Sequence, residues 1–245
     1  MALHFLVDEI LTQQAGDAVV LTGAEAHHAA VVRRVRAGEP VTVGDGRGAW
    51  LTGSVEDVAP KQVVVRVAAR VDAVRPEPRV VLVQALAKGD RDELAIQAAT
   101  ELGADEIVPW QAARSVSRWA GVKAAKGVAR WSAIVREASK QAHRAWVPEV
   151  SVPVTTRDLV ARASDVRLVV LEPTASLPLS ELHLDAAETS DLILVVGPEG
   201  GIAPEELDAL ASAGATMVRL GETVLRTSTA GPAALALLNA RLGRW

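Results

Sequence analysis

The 245-residue sequence predicts an α/β fold with a mostly parallel sheet, preceded by a small β-rich domain. Three observations carry that expectation. From Arg79 onward, short apolar runs alternate with longer amphipathic stretches, the pattern of strand–helix units around a parallel sheet. Residues 1–72 instead hold brief valine-rich runs separated by turn chemistry. Between the two, Ala73-Val74-Arg75-Pro76-Glu77-Pro78 sets two prolines where neither strand nor helix continues readily. The expected domains are therefore residues 1–72 and 77–245.

In the first domain the strand candidates are 18–21, 40–43 and 62–67, and Asp45-Gly46 is a hairpin signal. One helix is expected from Ala24 to Arg34, with Thr22 or Gly23 near its cap. It ends in Arg33, Arg34 and Arg36, which either meet phosphates or simply solvate the helix end. In the second domain Val80–Val83 reads as a buried strand. Asp90 with Glu93 suggests a variant capping box, with Leu94, Ala98 and Leu102 on one helical face before Gly103. A short strand at 106–108 precedes a long basic helix from about Val122 to His143. Its apolar side carries Val128, Trp131, Val135, Ala138 and Ala142, and Trp131 keeps the helical period of a core residue rather than of a stacking platform.

A further helix starts at Thr156, a strand spans 166–171, and residues 174–190 read as linker with weak helical character. The run Asp191–Val196 is a strand buried on both faces, broken by Gly197-Pro198-Glu199-Gly200-Gly201. A helix follows, with Pro204 tolerated in its first turn and Glu205 and Glu206 favoured there by the helix dipole. Strand 216–220, the loop Gly221-Glu222-Thr223 and a last apolar helix from Ala230 to Arg241 complete the chain.

Composition narrows the chemistry. Hydrophobic content of 49% with 23% charged residues is that of a globular protein, and no apolar run approaches the ~20 residues that span a bilayer. The amino-terminal residues show neither the basic flank nor the apolar core of a secretion signal, so a cytoplasmic protein is expected. The absence of cysteine removes thiolate metal sites, iron–sulfur clusters and cysteine nucleophiles; no metal constellation is visible among the five histidines. The net charge of −4 is unevenly spread. Residues 110–147 hold Arg114, Arg118, Lys123, Lys126, Arg130, Arg136, Lys140 and Arg144 against Glu137 alone, a local basic surface suited to nucleic-acid phosphates.

Loops following neighbouring strands gather on one sheet edge, where open α/β folds bind ligands. The glycine loop at 197–201 could be a phosphate cradle, but Glu199 would repel a phosphate, and neither GxxxxGK[ST] nor a post-strand GxGxxG is present. A neutral or cationic ligand suits it better, unless it is a bare strand-to-helix turn.

Gly197-Pro198-Glu199-Gly200-Gly201, followed by Leu220-Gly221 and Val224-Leu225-Arg226-Thr227, resembles the carboxy-terminal signature of SPOUT-class methyltransferases. More narrowly it is similar to the family that methylates N3 of a uridine in 16S ribosomal RNA. The resemblance extends through Lys88-Gly89-Asp90, Gln97, Glu101-Leu102-Gly103, Glu137-Ala138 and Gln141-Ala142, and back to His27-His28, Arg33, Gly38 and Asp45-Gly46. It implies a PUA-like β-barrel before a SPOUT domain with a trefoil knot, and a homodimer whose sites form at its interface. It also implies S-adenosylmethionine as methyl donor and S-adenosylhomocysteine as product, with 16S ribosomal RNA or the small ribosomal subunit as partner.

By that resemblance the donor lies against Leu171, Glu172, Gly197, Pro198, Glu199, Gly200, Gly201, Leu220, Gly221, Leu225, Arg226 and Thr227. Glu199 is the candidate for taking the imide proton or positioning the base, and Arg226 for stabilising charge on the uracil oxygens. Arg33, Arg34, Arg114, Arg118, Lys123, Lys126, Arg130, Arg136 and Lys140 are the candidate RNA contacts. His27 and His28 lie far from these loops in sequence and are expected to be structural or RNA-facing. Alternatives are a SPOUT enzyme for another base or a ribose 2′-hydroxyl, and a non-catalytic ribosome assembly factor.

Overall fold

The computed structural model describes residues 2–184 and 190–245. The chain divides into two compact units. Residues 2–75 with Ser139–Val147 form the first, and Pro76–Ala138 with Pro148–Trp245 form the second.

The first unit is a mixed five-stranded sheet in the order β1-β3-β4-β5-β2. Its strands are β1 (Leu3–Leu6), β2 (Ala18–Leu21), β3 (Pro40–Gly44), β4 (Ala49–Ala59) and β5 (Gln62–Asp72). β1 pairs in parallel with β3, and the other pairings are antiparallel. Alternation places Val41, Val43, Leu51, Val55, Val63, Val65 and Val67 in one core with Phe5, Val19 and Leu21. The β3–β4 hairpin turns at Asp45, whose carboxylate accepts the N–H groups of Arg47 at 2.8 Å and Ala49 at 3.2 Å. Two register shifts along β4 and β5 bend these long strands, as a sheet curling round its own core requires. α1 (Gly23–His27) runs into a π-helical turn over His28–Arg33, which Arg34 ends in the left-handed region at φ 54°. The expected helix is thus present in extent but loosens into wider winding halfway.

Residues 139–147 join this unit through non-local contacts. The Lys140 ammonium bonds Glu25 at 2.8 Å, and the Trp146 indole N–H reaches the Ala73 carbonyl at 2.9 Å. His4 stacks on Trp50 with centroids 4.2 Å apart, and His143 lies tilted 5.6 Å from it.

The second unit is a six-stranded, all-parallel sheet in the order β11-β9-β10-β6-β7-β8. These strands are β6 (Val80–Ala85), β7 (Glu106–Trp110), β8 (Glu149–Val150), β9 (Arg167–Leu171), β10 (Leu192–Val196) and β11 (Thr216–Val218). β6, β7 and β10 are buried at every position, the signature of a sheet covered on both faces. On one face Val81, Val83, Val108, Val170, Ile193 and Val195 share a core with Leu159 of α4 (Thr156–Arg162) and Leu210 of α5 (Pro204–Ser212). On the other, Leu82 and Val196 close on Gly231 of α6 (Thr227–Arg241), which also packs on α2 (Arg91–Glu101). Each such aliphatic side chain stabilises the fold by roughly 1.5–3 kcal/mol.

Three local expectations change. Asp90 makes no capping bond; Asp92 instead accepts the N–H of Ala87 at 3.1 Å, and Glu93 pairs with Arg130. The buried face of α2 is Ala95, Ile96 and Ala99, while Leu94 is 53% exposed, because α6 covers the neighbouring stripe. α6 starts at Thr227, three residues earlier than expected, because Arg226 accepts the N–H groups of Thr229 and Ala230 and begins the first turn. The long basic helix is α3 (Val122–Gln141), with Trp131 and Val135 buried. In the stretch read as linker, residues 179–181 form a short 3₁₀ turn, and 185–189 lie outside the described residues.

Candidate active site

Four neighbouring strands of the second unit, β11, β9, β10 and β6, point their carboxy-terminal ends to one edge, and the loops leaving them enclose a cavity of about 450 Å³. That is the size of a small-molecule site. Of the twelve residues expected at the donor, eleven line it: Leu171 and Glu172 after β9; Gly197, Pro198, Glu199 and Gly201 after β10; Leu220 and Gly221 after β11; and Leu225, Arg226 and Thr227 at the start of α6. Gly200 is turned outward instead, its carbonyl accepting from Arg114 at 3.2 Å.

The β10 loop is a tight turn, closed by a bond from the Gly201 N–H to the Pro198 carbonyl at 2.9 Å. Gly201 sits at φ 73°, a conformation side chains resist, which is why a glycine ends the turn. Thr227, 6% exposed, ties three elements together. Its hydroxyl donates to the Gly197 carbonyl at 2.9 Å and accepts from the Gln84 amide of β6 at 2.9 Å. The chain therefore leaves β11 at the sheet edge and returns to start α6 between the ends of β6 and β10, the backward course that a knotted carboxy terminus requires.

Glu199 is held from the β6–α2 loop. Its Oε1 accepts the Lys88 N–H at 3.1 Å and the Arg91 guanidinium at 2.9 Å. Burial pushes its pKa up, but the bonds from its own N–H, from Lys88 and from Arg91 outweigh that, and the net shift is below the ordinary carboxylate value of 4.5. Glu199 is therefore an anion at neutral pH and a weak proton acceptor. Glu172 bonds within its own loop, accepting from the Thr174 hydroxyl at 2.9 Å. Arg226, exposed at the cap of α6, makes no side-chain hydrogen bond or ion pair among the described residues. The rest of the wall is largely apolar, including Ile202, Val218 and Val224.

Arg91 was missed by sequence reasoning. The signal available was its place after β6, on the same sheet edge as the three chosen loops; its partner lies 108 residues away. Glu206, expected only as a dipole-favoured acid, is buried and accepts the N–H groups of Ala113 at 3.0 Å and Ala203 at 3.3 Å and the Thr156 hydroxyl. It braces α5 beneath the site.

The candidate RNA contacts separate. In the first unit Arg33 and Arg34 are exposed, whereas Lys140 is 9% exposed and paired with Glu25, so its charge is not offered to solvent. In the second unit Arg114 and Arg118 are exposed with guanidinium bonds to the Gly200 and Ala113 carbonyls, and Arg136 is half-buried on α3. Lys123, Lys126 and Arg130 line a second cavity of about 380 Å³. His27 and His28 lie in the first unit, His28 with its ring edge toward Phe5. Among the described residues no group of three or more acids and histidines is placed to hold a metal ion.

A family model for an RNA methyltransferase domain matches residues 75–239, and one for an RNA methyltransferase PUA domain matches residues 21–68. A protein of Mycobacterium bovis named ribosomal RNA small subunit methyltransferase E is 45% identical over 251 residues, covering 100% of this chain and 94% of its own. The chain belongs to the ribosomal RNA small subunit methyltransferase E family. Its Bacillus subtilis namesake is 32% identical over 94% of each chain. A Neisseria gonorrhoeae family member bound to S-adenosyl methionine superposes with a TM-score of 0.86 at 28% identity over 98% of both chains. A Legionella pneumophila methyltransferase structure in complex with the cofactor SAM gives 0.86 at 31% identity over 98% of both. The second unit is accordingly a SPOUT methyltransferase domain, a PUA-like domain precedes it in the sequence, and the protein is an RNA methyltransferase.

Proposed function

We propose that this protein methylates N3 of a uridine in 16S ribosomal RNA, with S-adenosylmethionine as donor and S-adenosylhomocysteine as product. The observation that carries this reading is the cavity itself: residues of the expected donor loops, from three distant stretches, meet around one space, with an ionised carboxylate on one wall and, on another, a guanidinium that has no partner among the described residues. The residues fit the donor. The cavity is nucleoside-sized, Gly197, Gly201 and Gly221 present main chain to it, and Glu199 suits a cationic group.

When bound, S-adenosylmethionine supplies an activated methyl group on a sulfonium. The protein holds uracil N3 in line with that methyl. Glu199, kept ionised by Lys88 and Arg91, orients the base and stabilises positive charge; its lowered pKa makes it a poor match for general-base work near neutral pH. Arg226 stabilises the negative charge that develops on the uracil oxygens as the imide proton leaves for solvent.

A homodimer, a cytoplasmic setting and the small ribosomal subunit as substrate belong to the same reading. The test is to incubate the protein and labelled donor with small subunits lacking the modification and to analyse the nucleosides by mass. Label in 3-methyluridine is expected; label on ribose, on another base or nowhere overturns the assignment. Equilibrium sedimentation at assay concentration checks the dimer, and a monomer with full activity refutes it.

A further inference from the structure

The second cavity lies on the far side of Glu199's anchor. It is lined by Lys88 and Gly89, by Trp119 in the loop before α3, and by Lys123, Lys126 and Gly127 of α3. Lys88 connects the two spaces: its N–H bonds Glu199 on the first cavity, while its residue lines the second, and Arg91 three positions on lines the first again. The acids at this second cavity are already engaged. Glu93 is paired with Arg130, and Asp92 takes two main-chain N–H groups, with burial raising its pKa. Lys88, Lys123 and Lys126 have no ion-pair partner among the described residues.

Trp119 is fixed in place. A Cβ added at Gly127 would lie 2.7 Å from each of three atoms of its indole, so the ring rests flat on α3 where only a glycine leaves room. It forms an edge-to-face pair with buried Trp131, 5.0 Å between centroids, and its main-chain N–H is held by Gln111 at 2.9 Å. A half-buried, pre-positioned indole among lysines with no ion-pair partner among the described residues is the combination that holds unstacked nucleotides: a π-face for the base and cations for the phosphates.

We propose that this cavity seats the single-stranded nucleotide next to the methylated uridine, its base stacked on Trp119 and its flanking phosphates held by Lys88, Lys123 and Lys126. The inference rests on the proposed function, since it takes the first cavity as the site of the target base. Trp119, not the Trp131 of the apolar stripe, is then the aromatic contact of this enzyme.

The test measures binding of a fluorescently labelled oligouridylate to the full-length protein across a salt series, beside calorimetric titration with S-adenosylmethionine. Trp119→Ala should weaken RNA binding about 5- to 100-fold and Trp119→Phe much less. Lys123→Ala with Lys126→Ala should reduce the slope of log affinity against log salt by about two. Cofactor affinity should stay at the wild-type value in all of them. Wild-type RNA affinity and salt slope in variants that still bind the cofactor overturn the proposal. If the wild type yields no 3-methyluridine, the reading of function falls separately, and the binding series still decides the cavity: losses uphold it as an RNA seat, and unchanged slopes end it.

Discussion

Thr227→Val tests whether the site is held together by one buried hydroxyl. The substitution keeps shape and volume but removes both hydrogen bonds of Oγ1, leaving the Gly197 carbonyl without its donor and Gln84, fully buried on β6, with only its 3.2 Å bond to the Ala85 carbonyl. Stranding buried polar groups costs about 1–3 kcal/mol each, partly relieved here by the remaining Gln84 bond, so a net loss of about 2 kcal/mol is expected. The same bonds fix the β10 loop against the start of α6, so cofactor affinity should fall about tenfold, the equivalent of 1.4 kcal/mol. Urea unfolding with fitted midpoint and slope reads the first effect, and calorimetric titration the second. Thr227→Ser keeps the hydroxyl and should stay within about 1 kcal/mol of wild type. If Thr227→Val loses less than about 0.5 kcal/mol and binds the cofactor normally, the hydroxyl is not the tie described and the reasoning fails.

Glu199→Gln keeps an acceptor for the Lys88 N–H but loses the charge facing Arg91. Because the carboxyl titrates below 4.5, wild-type kcat should show no inflection from Glu199 between pH 5 and 8, and an inflection there that Glu199→Gln abolishes would restore it as the base. His4 is buried against Trp50, and burial first, then His143 and Lys140, lower its pKa from 6.5 to about 3. The unfolded chain thus binds a proton below pH 6.5 that the folded chain refuses until about pH 3, so stability is full above 6.5 and falls with acid. At pH 5 the loss is about 2 kcal/mol, and it should vanish from the pH 7 to pH 5 difference in His4→Gln; equal differences in both proteins count against it. Glu206→Ala would leave the N–H groups of Ala113 and Ala203 unmet and should cost about 2–3 kcal/mol in urea unfolding, against under 1 for the exposed neighbour Glu205→Ala.

What could be read from the sequence was local or repeated. Leu192–Val196 and Val80–Ala85 are apolar without alternation, which announces a strand covered on both sides, and the loops after such strands must share an edge when the strands are parallel. That logic set the loops at 171–173, 197–201 and 221–223 on one edge, while the donor residues on them were named by the family resemblance. It gave no hint of β1, four residues whose only pairing is with a strand 38 positions on, or of β4, where Leu51 and Val55 are the only large buried side chains among eleven residues. Charge was misleading where partners are distant. Lys140 continues the basic pattern of α3 yet faces Glu25, 115 residues earlier, and Arg91 looks like an ordinary first-turn residue until Glu199 is brought to it. A capping box at Asp90 and Glu93 satisfies the local rule, but Arg130 offers Glu93 a charged partner that a neutral N–H does not match.

The charges in the first cavity suit the proposed reaction. In the proposed transfer a cation and a developing anion meet and give neutral products, so the barrier falls as the surroundings become less polar, provided neither charge is stranded beforehand. The cavity meets both conditions. Leu171, Ile202, Val218 and Leu225 supply an apolar wall that strengthens every remaining Coulomb interaction. Arg91 balances Glu199, so this pair adds no net charge, and Arg226, beside the space, has no ion-pair partner among the described residues. A phosphate-binding loop would instead offer converging N–H groups and a lysine, where this loop presents the carboxylate of Glu199. The glycine-flanked acid is therefore not a degenerate phosphate loop, and the proposed donor, positive before transfer and neutral after it, suits it.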